Sequence, residues 1–175
     1  MILGMSTATF TIIHVVLSLV GIFSGLIVLV GMLGARKLES WTMLFLATTA
    51  LTSATGFLFH SPGFGPSHIF GVISLGVLGV ALYALYIKRI VDVWRWIYVA
   101  GSICALYLNV FVGVVQAFQK LSFLRSLSPT QSDLPFLFVQ LFVLAIFVVL
   151  GALAIIKFCP ETKVRGSGVR KFAAG

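Results

Sequence analysis

Three histidines, three side-chain amides set within apolar runs and a run of hydroxyls are the residues with chemistry to offer in a largely apolar chain. His14, His60 and His68 carry imidazoles, the side chains that take transition metals and haem iron. Thr48, Thr49, Thr52, Ser53 and Thr55 crowd one stretch and are followed by Gly56, while Asn109, Gln116 and Gln140 interrupt apolar runs further on. His60 and His68 flank a turn built from Pro62, Gly63, Gly65 and Pro66. His14 with His60 or His68 is the pairing expected of a haem b site. His60 with His68 is the pairing expected of a metal at the surface. A wall of hydroxyls and imidazole beside apolar helices also suits a quinone carbonyl.

Membrane helices are the elements that must position these groups. Of the 175 residues, 60% are hydrophobic and 9% are charged. A soluble globule needs more charge than that to cover its surface, and a hydrocarbon solvent removes the need. About 20 apolar residues cross the roughly 30 Å core as a helix. The expected fold is all-α, a polytopic transmembrane bundle of five spans at about 9–33, 41–60, 68–87, 93–118 and 134–158. A basic tail, 161–175, is expected to be disordered. No basic residue precedes the first run, and no small-x-small pattern separates it from Arg36 and Lys37, so it reads as a retained span. Ser40, Ser67 and Asp133 are the expected N-caps of later helices. The stretch AFQKLSFLRSL reads as a short interfacial helix.

Spacing assigns faces. Ser18, Gly21 and Gly25 make one small-residue face suited to close helix packing. Thr49, Thr52, Gly56 and His60 share a face of the second span, as do Asn109, Gly113 and Gln116 in the fourth. Cys104 and Cys159 have neither zinc-site nor redox-pair spacing.

Net charge is +8, with 12 Lys and Arg against 4 Asp and Glu. In a soluble domain that excess points to nucleic acid. Here the cations are confined to connections and the tail, so no nucleic-acid partner is expected. Arg36, Lys37, Lys88, Arg89, Arg95, Lys157 and the tail residues Lys163, Arg165, Arg170 and Lys171 fall on one side of a five-span bundle. Lys120 and Arg125 are the cations of the other. The positive-inside rule then puts the N-terminus outside and the C-terminus in the cytoplasm. Trp41, Tyr83, Tyr86, Trp94, Trp96 and Tyr98 form the expected aromatic belt on the cytoplasmic side, and the tail is expected to meet anionic headgroups.

This orientation places His14, His60, His68, Gln116 and Gln140 in the outer half, with Asn109 nearer mid-depth. One reading is a hydrogen-bond network in which each buried polar group satisfies another; the other is a ligand site. Ion-coupled transport is disfavoured because no span contains Asp or Glu. The HExxH and GxSxG patterns of hydrolases are absent.

The segments WTMLFLATTALTSATGF, PSHIFGVISLGVLG, WRWIYV, ALYLNVFVGVVQAFQK and PTQSDLPF together resemble a group of small bacterial integral inner-membrane proteins, over roughly residues 15–158. The resemblance implies a multi-pass protein of the bacterial cytoplasmic membrane. It marks Thr49, Thr52, Gly56, His68, Asn109, Gln116 and Gln131 as important, and brings no substrate or cofactor with it. The helix count and histidines also faintly resemble small b-type membrane cytochromes.

The expected function is a non-enzymatic integral membrane protein. Thr49, Thr52, Gly56, Asn109, Gln116 and Gln140 would line a polar outer seam for a small ligand, a membrane-protein partner or a second copy. The alternative is haem- or quinone-dependent electron transfer through His14, His60 and His68.

Overall fold

The computed structural model describes residues 4–59, 66–130 and 132–158, without the side chains of 66–68. It contains α1 (Thr7–Leu33), α2 (Glu39–Phe57), α3 (Pro66–Leu82) continued by a π-helical turn (Tyr83–Ile87), α4 (Val93–Lys120), α5 (Ser122–Leu127) and α6 (Leu134–Lys157). The described residues form no strand element. Four helices are long and apolar enough to cross a membrane: α1, α3 with its π-helical turn, α4 and α6. That is the signature of a membrane protein. Five such runs were expected, and the fifth, α2, has 19 residues but carries the hydroxyl run, which lowers its hydropathy.

Helix starts differ from the expected caps. Ser6 caps α1 by accepting from the Thr9 N–H at 3.1 Å. The N-cap of α2 is Leu38, not Ser40, which already lies inside the helix. Packing decides this start: a Cβ built on Gly31 would come within 2.8 Å of Leu38, so Leu38 sits against bare backbone. Glu39 then occupies the first turn, where a carboxylate complements the helix dipole, and pairs with Lys37 at 3.1 Å. Helix α3 starts at Pro66, one residue before the cap expected at Ser67. Asp133 is the N-cap residue of α6 by backbone, but its carboxylate makes no cap bond.

Each long helix packs against its neighbour in sequence, and α4 closes back on α1. Helix α6 lies on α4 and also touches α1. The α1–α2 pair runs antiparallel along its whole length, from Leu38 on Gly31 at one end to the Phe10 and Phe59 rings, 5.1 Å apart, at the other.

The apolar core is lopsided. Val28, Leu29 and Met32 of α1 meet Phe45 and Leu46 of α2, Leu85 of the π-helical turn, Tyr98, Val99 and Leu106 of α4 and Ala154 of α6. All lie towards the end bearing Arg36, Lys37, Lys88 and Arg89, called here the basic end; the other is the open end. Tyr98 belongs to this core rather than to the aromatic belt. It is 1% exposed, with its ring 6.0 Å from that of Phe158. Trp41, Tyr83, Tyr86 and Trp96 are exposed, as a belt requires.

Candidate functional site

Glycine lets α1, α2 and α4 come close enough for short polar side chains to meet. A Cβ on Gly25 would collide with Leu106 at 2.6 Å and Phe45 at 2.9 Å, and one on Gly21 would lie 3.3 Å from Thr48 Oγ1 and 3.5 Å from both Asn109 Nδ2 and Thr49 Oγ1. Beside Gly21, Asn109 Nδ2 donates to Thr49 Oγ1 at 2.9 Å. Thr49 is fully buried, so the bond forms in a low-dielectric interior where leaving either group unpaired is costly.

The seam continues towards the open end along α2. Thr48 donates back to the Leu44 carbonyl at 2.7 Å, the usual way a helix accommodates threonine in hydrocarbon. Thr52, one turn on, does not: its Oγ1 is buried without a hydrogen-bond partner among the described residues. Thr55 donates to the Leu51 carbonyl at 2.7 Å, and its Oγ1 lies 2.8 Å from His14 Nδ1. The His14 ring stands edge-on to Phe59, centroids 5.1 Å apart, and its Cε1 is 3.8 Å from where a Cβ on Gly56 would be. Ser18 donates to the His14 carbonyl at 2.8 Å.

This geometry selects a histidine tautomer. A hydroxyl has one proton, and that of Thr55 is committed to the Leu51 carbonyl in a short back-bond. In the neutral ring His14 then donates from Nδ1 and keeps its lone pair on Nε2, which has no hydrogen-bond partner among the described residues. Such a nitrogen accepts a hydrogen bond or ligates a metal. The hydroxyl of Thr52, one turn before Thr55 and Gly56 on α2, is buried and has no acceptor among the described residues.

The expected site residues do not all gather. Thr49 and Asn109 bond directly, Thr52 follows them, and His14 closes the seam beside Thr55 and Gly56. Gln140 lies elsewhere, 6% exposed on α6, where its Nε2 donates to the Phe111 carbonyl at 3.2 Å while its Oε1 has no partner among the described residues. Gln116 is exposed, because the α4 face is uncovered beyond Gly113, which is itself exposed. His60 and Gln131 lie outside the described residues. His68 is in the first turn of α3, and its side chain is outside them too. Among the described residues no three of His, Cys, Asp and Glu converge.

Two partners went unread in the sequence. Thr55 is the anchor of His14, and its signal was the Thr48, Thr52, Thr55 stripe at helical spacing. Ser53 donates to Ser74 at 3.0 Å and locks α2 to α3, a pairing with no sequence signal at all. No family model, curated protein or solved structure matches this chain.

Proposed function

We propose that the chain is a five-pass, non-catalytic protein of the bacterial cytoplasmic membrane that holds a small lipid-soluble ligand in the outer half of its α1–α2–α4 seam. Helix α2 counts as the fifth crossing because it pairs with α1 from end to end, so it spans whatever α1 spans. At 1.5 Å per residue its 19 residues reach about 28 Å, close to the hydrocarbon thickness. The basic connections then face the cytoplasm and the N-terminus lies outside.

The observation that carries the ligand reading is the free Nε2 of His14, held in place by Thr55. It offers an acceptor, the partner that a hydroxyl-bearing molecule needs, while the unpartnered Thr52 hydroxyl is buried one turn away along α2. The His14–Thr55 pair is half-buried at the α1–α2 contact, which leaves it open to a small molecule.

Two experiments test this. A reporter fused after Phe64 should be active outside the cell; activity in the cytoplasm would overturn the orientation. A short-chain benzoquinol, which donates hydrogen bonds, should bind the detergent-solubilised protein about tenfold more tightly than the matching benzoquinone, which does not. His14→Phe should abolish that preference, and equal binding of the two probes by the native chain would refute the ligand reading.

Electron transfer is the second reading, since an unprotonated imidazole nitrogen also suits haem b iron. It requires His60 or His68 as the second ligand. A Soret band that survives purification from haem-replete cells and disappears in His14→Phe would select it.

A further inference from the structure

At the open end, α4 stops at Lys120, α5 packs back on α4, and the chain turns through Ser128, Pro129 and Thr130 towards α6. Asp133 holds that turn. Its Oδ2 accepts from the Thr130 N–H at 2.8 Å and lies 3.3 Å from Ser128 Oγ, and the Ser128 hydroxyl donates to the Thr130 carbonyl at 2.7 Å. The turn, α5 and the ends of α4 and α6 line a half-open cavity of about 510 Å³. Phe118 and Phe136, buried and edge-to-face at 5.4 Å, form its apolar floor. Gln119, Arg125, Ser128 and Thr130 supply its polar wall.

Arg125 is the cation of this cavity, and its guanidinium has no ion pair or side-chain hydrogen bond among the described residues. The nearby carboxylate of Asp133 is already engaged by the Thr130 backbone. A guanidinium presents a planar fork of donors that matches two oxygens of a phosphate. The surroundings specify what carries the phosphate. Phe123 and Leu127 of α5 are 72% and 50% exposed, and Leu134 and Phe138 at the start of α6 are both 67% exposed. Free phosphate has no use for such surface, whereas acyl chains do.

We propose that this cavity binds the phosphate of a phospholipid headgroup. The diester oxygens face Arg125 and Gln119, and the acyl chains run over the exposed side chains of α5 and α6. The site requires that α4 and α6 cross the membrane. It is independent of the number of spans, their orientation and the His14 seam, so its failure would leave the ligand reading untouched.

The test titrates the purified full-length chain in mild detergent with dioleoylphosphatidylglycerol and counts retained lipid by native mass spectrometry. Arg125→Gln should weaken retention by about tenfold, Arg125→Lys by less, and Gln119→Leu by about threefold, each with unchanged helicity. Dioleoylglycerol, with the same chains and no phosphate, should bind like the lipid does to Arg125→Gln. Equal retention by Arg125→Gln and the native chain would overturn the proposal, as would equal binding of dioleoylglycerol by the native chain. Displacement of the lipid by millimolar inorganic phosphate would also overturn it, by making the cavity a site for the free anion.

Discussion

The basic end and the open end of the bundle are built from the same long helices but are held by different forces. At the basic end Phe45, Leu106, Tyr98 and Phe158 are buried to within about 1% of complete exclusion, and bare glycine backbone admits the neighbouring rings. Lipid offers such side chains nearly as apolar a home, so this end depends on closeness of fit rather than on escape from water. At the open end hydrogen bonds do the joining: Asn109 to Thr49, His14 to Thr55, Ser53 to Ser74 and Gln140 to Phe111. Among the described residues two buried atoms there, Thr52 Oγ1 and Gln140 Oε1, are left over, against one, Ser102 Oγ, in the core of the basic end. Close packing leaves no room to adapt, whereas a partly satisfied polar seam leaves groups for something else to satisfy. On the proposed ligand reading, the tight end is the frame and the open end the reader.

That contrast breaks most visibly at glycine. Gly25→Ala forces a methyl to within 2.6 Å of Leu106 and 2.9 Å of Phe45, and should destabilise the fold by about 1–3 kcal/mol in a reversible-unfolding assay in detergent micelles. Gly113→Ala meets only Ile22, at 3.6 Å, and should be neutral or stabilising by up to about 1 kcal/mol through helix propensity. Equal losses would mean that the two ends are packed alike. Next in size, Asn109→Leu should lose about 0.6–1.7 kcal/mol, the range of interhelical hydrogen bonds in bilayers. Tyr98→Phe removes a hydroxyl that reaches Thr42 at a long 3.5 Å and also faces Ser102, and should fall within about 0.5 kcal/mol of the native chain.

A smaller effect sharpens the tautomer assignment. Nitrogen-15 shifts of His14 should show a protonated Nδ1 and a bare Nε2. Thr55→Val should remove that bias while changing stability by about 0.6 kcal/mol. The reverse tautomer in the native chain would remove the free acceptor on which the seam's ligand reading depends.

The smallest effect lies in the turn before α6. The Thr130 backbone N–H, helped by the Thr130 and Ser128 side chains, holds Asp133 below its ordinary carboxylate pKa. A group depressed in the folded state stabilises above its unfolded value and loses that contribution as pH falls through the folded one. Proteolysis of the 128–133 turn should therefore rise as pH falls below about 4, and Asp133→Asn should flatten that dependence. No rise in the native chain would mean that the carboxylate does not hold the turn.

Much of the frame was legible in the sequence, because apolar runs bounded by Pro, Gly and charge leave helices few places to begin. Gly21 and Gly25 were readable as a packing face, since lipid-embedded helices need small residues where backbones approach. The site was only partly readable. Periodicity put Asn109 and Gln116 on one face of α4, but which length of that face another helix covers depends on how α1 crosses it. Gln140 joined the list on depth alone, and depth says nothing about position around the bundle. Ser40 was misread as a cap because its type suits the role, whereas the contact of Leu38 with Gly31 fixes the turn one step earlier. Tyr98 was misread as a belt residue because an interfacial ring and a buried one look the same in a list of aromatics.

The π-helical turn at Tyr83–Ile87 gives the chain slack in one place. It holds one residue more than an α-helical turn would, and beyond it Lys88 folds back to within 5.7 Å of the Tyr83 ring centroid and 5.4 Å of that of Trp94. Removing one residue there would let the turn tighten without shifting the register of α4. The same deletion within α1 would swing Gly21 by about 100° away from Asn109. Changes of chain length are thus absorbed next to the basic connections, and the phasing of the polar seam is insulated from them.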